Sequence, residues 1–496
     1  MSTQIFYAST LYGAVTLAAA IDSGCFEPAD RRLLLVANNA ATPETAVPLD
    51  RMPGFDRLSH RFDAVLSWND AVAPFHPGGW SPRPDDVPLW ERYLRLLWGL
   101  GDDRVALAVE SLQVPPALTV AQLFPDAAID VYADGLMSYG PTRNRIDPLV
   151  GERVRRLLHL ELVPGLRPLL LAEFGVVPEV VPAEAFTRVV DELAEDEVSE
   201  DGLAGSGTGE AGCGGAACGE AACGEAGSGE AGSGEAGSGE AVRGQVGTGG
   251  AARGGAGARG AGEGVALLLG QYLSALGILS PAEEEDLHVR MVRGAVARGH
   301  RRIVFKPHPV APASWSRTLE HRARELGAEL TVATRPVLAE VLFRRLRPAL
   351  VAGCFSTALF TASGFYGLPV ARLGTAPLLD RLTPYQNSNR VPVTLADALL
   401  PDLESGEAEG VADLAGLLDA VGFAMQPRVR ADLRPSAERY LATRLSPATR
   451  RYFKRRRLTA LGLPGGLPGG LKVPRNAVTR RLLRRARRLK RAALRR

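Results

Sequence analysis

Lysine is scarce in this chain, and the scarcity singles out one position. Only four of the 496 residues are Lys, and Lys454, Lys472 and Lys490 lie near the carboxyl terminus. The remaining one, Lys306, stands in Phe305-Lys306-Pro307-His308-Pro309, directly after residues 302–306, which read as a buried strand. The two prolines stiffen the strand end and hold His308 in place. A cation and an imidazole at the carboxyl end of a strand suit an anionic group. Taken alone, the same residues also describe a structural His beside a surface Lys.

Two further groupings carry chemistry. Gly353-Cys354-Phe355-Ser356-Thr357 ends one apolar run and opens a helix. Paired hydroxyls there cap the helix, and the N–H groups at the same end hold phosphate. Together with Lys306 and His308 they suggest a nucleotide phosphate site. Tyr132-Ala133-Asp134-Gly135 follows another strand-like run, residues 128–132. A carboxylate at a strand end, followed by the flexible Gly135, can face a crevice and take a proton from a hydroxyl. By itself an Asp-Gly pair is also an ordinary turn. His76 lies in the rigid loop Pro74-Phe75-His76-Pro77-Gly78-Gly79-Trp80, shortly after Trp68, Asn69 and Asp70. That loop fits a sugar-stacking acceptor surface or plain loop packing equally well.

These residues need elements to position them. Residues 4–9 read as a strand, followed by Thr10, Tyr12 and Gly13 and an Ala-rich helix to Ala20. Residues 32–37, 62–68, 103–110 and 128–132 read as further strands, 89–100 as a helix, and 171–173 as one more short element. A second series starts at Val265. It has strands at 265–269, 302–306, 329–332, 349–352 and 370–373, and helices at 281–298, 318–326, 337–346 and 358–365. The alternation predicts an α/β protein of two Rossmann-like domains facing across a cleft, with ligands at the carboxyl ends of the strands. The expected divisions are a first Rossmann-like domain at 1–190, a linker at 191–264, a second Rossmann-like domain at 265–425 and a helical, basic tail at 426–496.

Composition supports this division. Of the 55 Gly, 25 fall within residues 202–264, amid near-copies of Gly-Glu-Ala-Gly-Ser; such a segment buries almost nothing and reads as a disordered linker. The 58 Lys+Arg and 55 Asp+Glu balance to +3, yet residues 451–496 hold 17 bases and no acid, which leaves the rest at −14. An acidic body excludes a general nucleic-acid binder. In the tail, Val478, Leu482, Leu483, Ala486, Leu489, Ala493 and Leu494 fall on one helical face among Arg and Lys. That pattern fits a helix lying on an anionic membrane, or a solubilising tail. Cys213, Cys218 and Cys223 repeat at a spacing of five with no His near, which is not a zinc pattern. Cys25 and Cys354 are expected to be reduced thiols, and with no signal peptide or long apolar run a cytoplasmic protein is expected.

Ala133-Asp134-Gly135, His308-Pro309 and Ser356-Thr357, in that order, resemble the acidic-Gly, His-Pro and Ser/Thr motifs of bacterial two-Rossmann sialyltransferases. Lys306-Pro307-His308-Pro309 and the opening Ile5-Phe6-Tyr7-Ala8-Ser9-Thr10-Leu11-Tyr12-Gly13 are most similar to the bacterial alpha-2,8-polysialyltransferase family. The resemblance spans roughly residues 1–175 and 265–400. It implies a GT-B fold and inverting transfer of a sialic-acid-like sugar from a CMP-activated donor to a glycan or glycolipid hydroxyl, with no metal or other cofactor. It implies acceptor binding for the first domain and nucleotide-sugar binding for the second. It also implies residue roles: Asp134 and His308 as catalytic residues, Asp134 as general base and His308 as supporter of the leaving phosphate or its general acid, with Ser356 and Thr357 as phosphate ligands. Lys306, Gly353, Gly13 and Gly135 complete the expected substrate-binding set. One departure stands out, since the motif's first acid is Ala133 here. Two other readings use the same residues. One is a transferase for another nucleotide-activated sugar or polyol; the other is a non-catalytic glycan-binding protein.

Overall fold

The computed structural model describes residues 1–133, 135–195, 264–308 and 313–467. Asp134, Pro309, the Gly/Ala/Glu repeat with its three cysteines, and the amphipathic stretch 478–496 lie outside the described residues.

The amino-terminal sheet has seven parallel strands: β1 (Ser2–Ala8), β2 (Arg31–Val36), β3 (Ala64–Ser67), β4 (Arg104–Glu110), β5 (Ala128–Tyr132), β6 (Val154–Leu160) and β7 (Val177–Val181). Their spatial order is β3-β2-β1-β4-β5-β6-β7. The second sheet holds β8 (Ala266–Leu269), β9 (Arg302–Lys306), β10 (Glu329–Val332), β11 (Leu350–Gly353) and β12 (Val370–Arg372), in the order β10-β9-β8-β11-β12 and again all parallel. In each sheet the winding direction reverses beside the first strand, between β1 and β4 and between β8 and β11. Those switch points open a crevice at the carboxyl ends, because the flanking loops turn away to opposite faces.

Strand periodicity divides the core. Ile5 and Tyr7 of β1 face one apolar cluster, built only from the first unit, while Phe6 and Ala8 face a second that runs on into Leu267, Val304 and Val351 of the other unit. The two units therefore share one apolar core on their inner side. Polar contacts reinforce it. Arg344 pairs with Asp191, and the Arg345 guanidinium donates to the Ala194 carbonyl at 3.2 Å, joining helix Ala339–Leu346 to helix Ala183–Ala194.

Several elements differ from the sequence expectation. Strands β6 and β7 were not expected: Arg155, Arg156 and His159 interrupt the first, and Pro178 and Glu179 disguise the second, an edge strand. Residues 171–173 do not start a strand; Leu171 is left-handed (φ 60°) before the single turn Ala172–Phe174. The strand expected at 62–68 is shorter, because the Ser67 hydroxyl accepts from the Asp70 N–H at 3.1 Å and starts a helix at Trp68. Within 426–467 the chain packs on the second unit. Helix Arg434–Arg444 lies against Leu414–Met425, and the buried Tyr452 donates its hydroxyl to Asp397 at 3.0 Å.

Candidate active site

The first wall of the crevice is built where β1, β4 and β5 end. Thr10 caps helix Leu11–Asp22 by accepting from the Gly13 N–H at 3.0 Å. Gly13 is needed there, because a Cβ would come within 2.8 Å of the Tyr132 hydroxyl. That hydroxyl donates to the Tyr7 carbonyl at 3.0 Å and lies 3.3 Å from Glu110 Oε2. Glu110, the last residue of β4, also accepts from the Ser9 hydroxyl and, at 3.4 Å, from the Ser9 N–H. Burial, with the nearby Glu110 charge, pushes the Tyr7 phenol up, so it stays a neutral donor and acceptor.

Ala133 departs from the acidic motif for a reason visible in the fold. Its methyl is buried in the apolar cluster on the outer face, and its N–H donates to the Leu158 carbonyl at 2.8 Å. A carboxylate there would be desolvated without a partner among those apolar neighbours. Gly135 follows the undescribed Asp134 with φ 145°, a region open essentially to glycine, and a Cβ would lie 2.5 Å from Thr357 Oγ1. The next N–H, of Leu136, donates to the same Thr357 hydroxyl at 3.4 Å. The end of the first-sheet motif thus touches the Ser-Thr motif of the second sheet, across 221 residues of sequence.

The second wall is made by β8, β9 and β11. Lys306 ends β9, and its carbonyl accepts from the Gly270 N–H at 2.9 Å at the end of β8. Gln271 reaches the next loop, where its side-chain oxygen accepts from the Phe355 N–H at 2.9 Å. Ser356 caps helix Thr357–Tyr366 by accepting from the Ala358 N–H at 3.3 Å, and both Ser356 and Thr357 remain half-buried rather than enclosed. Gly353 is buried at the end of β11, but a Cβ there would make only ordinary contact, 3.4 Å from Leu269 Cβ. No backbone strain or close approach in the described structure requires glycine at 353.

His308 lies beside Tyr272, with ring centroids 6.1 Å apart. Burial, and secondarily the Lys306 charge, pushes its imidazole down to about 4, so it is neutral near pH 7. Burial pushes the Glu340 carboxyl above the ordinary carboxylate range, against the opposing pull of the Thr361 hydroxyl, which donates to it at 2.7 Å, and of the Lys306 charge. Glu110, Tyr132, Gln271 and Glu340 were not singled out from sequence. Only Glu110 carried a signal, as an acid closing an expected strand.

In the His76 loop, His76 and Phe75 stay exposed. The His76 ring bridges the Ala40 carbonyl at 3.0 Å and the Gly78 N–H at 3.2 Å, and Trp68 is fully buried.

Two parallel α/β sheets facing across a crevice at their carboxyl edges make the GT-B arrangement. Within that class the chain belongs to the alpha-2,8-polysialyltransferase family, whose model matches residues 4–210 and 247–375. The fold is similar to a sialyltransferase from Photobacterium damselae, at 10% identity and TM-score 0.38 over 80% of this chain and 96% of that one. It is also similar to a Photobacterium sp. 2,6-sialyltransferase, solved with CMP and lactose, at 11% identity and TM-score 0.37 over 82% and 80%. The comparison with curated protein sequences finds no match.

Proposed function

We propose that this glycosyltransferase moves a sialic-acid-like sugar from a CMP-activated donor onto a glycan or glycolipid hydroxyl with inversion, without a metal ion. Asp134 takes the proton of the acceptor hydroxyl as its oxygen attacks the anomeric carbon. The bond from that carbon to the phosphate oxygen breaks on the opposite face, and CMP departs with the electron pair. Lys306, the His308 imidazole, the Ser356 and Thr357 hydroxyls and the helix N–H groups meet the charge that develops on the phosphate. A neutral His308 donates one hydrogen bond to it. A single phosphate leaves no pair of phosphates for a divalent ion to bridge. Work at the inner face of a membrane fits a lipid-linked acceptor and the basic carboxyl-terminal segment.

The observation that carries this reading is the contact of Gly135–Leu136 with Thr357, which brings the end of the acid-Gly motif to the proposed phosphate end of the crevice. Calorimetric titration of the full chain with CMP, CDP and UDP tests the donor. Tightest binding of CMP is expected; tighter binding of UDP or CDP transfers the enzyme to another donor class.

A further inference from the structure

Helix Val87–Leu97 turns apolar side chains outward. Its inward side is conventional, with Leu94 and Trp98 buried and Trp90 packed against the outer core of the first unit. Its outward side carries Leu89, Tyr93, Leu96 and Leu97, which are 69%, 43%, 74% and 50% exposed. At 3.6 residues per turn these four fall within an arc of about 100°, so they form one ridge.

The ridge is firmly propped. Trp90 meets Tyr93 edge-on at 5.5 Å and Trp80 at 4.5 Å; Trp80 stacks on the half-exposed Phe75 at 6.0 Å and reaches buried Trp68 at 6.1 Å. Trp68, Trp80 and Trp90 of this ladder pack on the core cluster built from first-unit residues only, so the ladder faces away from the second unit. Its loop leaves the carboxyl end of β3, the same sheet edge that carries the candidate site. Charges around it balance: Arg83 lies 3.9 Å from Asp86, Arg95 pairs with Glu91 at 2.9 Å, and Arg92 and Asp85 are both exposed.

We infer that this ridge dips into the interfacial layer of a lipid bilayer, with Phe75, Leu89, Leu96 and Leu97 among the acyl chains and Tyr93 and Trp90 at headgroup level. Tryptophan and tyrosine favour that level because each ring has an apolar body and a polar tip. A second copy of the chain is the less suitable occupant. The five exposed side chains, Phe75, Leu89, Tyr93, Leu96 and Leu97, offer on the order of 400 Å², against the roughly 800 Å² per partner of a stable protein interface. Among the described residues no helix is long and apolar enough to cross a membrane, so the contact is shallow. Because the ridge is charge-balanced, its binding is apolar and resists salt, unlike adsorption through the basic carboxyl-terminal segment.

The test uses the full chain and phosphatidylcholine vesicles at about 0.5 M salt, where charge-driven adsorption is screened. The wild type is expected to co-sediment, and vesicles with brominated acyl chains should quench its fluorescence, a signal that Trp90→Phe diminishes. Leu89→Glu with Leu96→Glu should weaken co-sedimentation by at least about tenfold with thermal unfolding unchanged. Leu96→Ser alone, expected to weaken it by a smaller factor, serves where the pair impairs folding. Absence of wild-type binding, equal binding by the variants, or binding without quenching overturns the proposal. So does a wild-type dimer that the variants split, which assigns the face to a second copy.

Discussion

The two walls of the crevice are held by different means. On the first wall one carboxylate gathers its neighbours: Glu110 accepts from the Ser9 hydroxyl and N–H and lies 3.3 Å from the Tyr132 hydroxyl, which donates to the Tyr7 carbonyl. On the second, every such bond has a backbone N–H as its donor: Gly270 to the Lys306 carbonyl, Phe355 to the Gln271 side chain and Ala358 to the Ser356 hydroxyl. The first wall presents carboxylate chemistry; the second presents a cation, hydroxyls, an imidazole and a helix terminus. In the proposed reaction an acceptor hydroxyl loses its proton on the first side while a phosphate gains charge on the second. On that reading each sheet serves one half of the transfer, and Gly135 and Leu136 touch Thr357 where the two meet.

The sharpest way to break this comparison is to remove the proposed base. Asp134→Ala is expected to lower turnover of CMP-sialic acid by about 100- to 10,000-fold, read by CMP release, with CMP affinity nearly unchanged. Undiminished turnover would dismiss Asp134 and return attention to Glu110 on the same wall.

Gly135→Ala attacks the junction of the two walls. Positive φ and the 2.5 Å approach to Thr357 Oγ1 should cost about 1–3 kcal/mol of stability, measured by denaturant unfolding, and reduce turnover as well. A fully stable and active variant means that the junction opens without consequence.

Gly13→Ala tests the first wall alone. The new methyl meets the Tyr132 hydroxyl at 2.8 Å, so destabilisation of about 1–2 kcal/mol is expected. Adding Tyr132→Phe, which removes that oxygen, should restore part of it in a double-mutant cycle. No coupling between the two changes would show that the crowding is not what makes Gly13 necessary.

The second wall is probed by pH. His308 and the buried His288, which packs 5.1 Å from the Phe305 ring, both stand at about 4, lowered chiefly by burial from an ordinary value of 6.5. Between those values the unfolded chain binds more protons than the folded one. The stability from keeping both rings neutral is therefore fully present above pH 6.5 and lost as pH falls toward 4. Thermal unfolding from pH 7 to 4.5 should show the decline. In imidazole NMR titrations, CMP should raise the His308 value and leave His288 where it is; a stationary His308 places the phosphate elsewhere.

Much of this was legible in the residues. Strands β2, β8 and β9 carry unbroken apolar runs at residues 33–36, 266–269 and 303–305, and local pattern is enough to find them. The Ser280 cap of helix Pro281–Ala297, with Glu283 returning the bond, is equally local. β6 and β7 were hidden because their charges are accommodated by neighbours distant in sequence, as when Arg155 and Arg156 bind buried Asp130. The partners of the site, Gln271 and Glu340, escaped for the same reason: nothing in a short window says which loop a side chain will reach.

By itself, then, the amino-acid order determined the strand-helix alternation, the motif residues and their placement at strand ends, because backbone preference and hydrophobic period act over a few residues. Only tertiary structure decided that Ala133 packs into the outer core, that Gly135 meets Thr357, and that His308 is neutral. Each of these depends on burial and on atoms brought together from far along the chain, which no local spacing encodes.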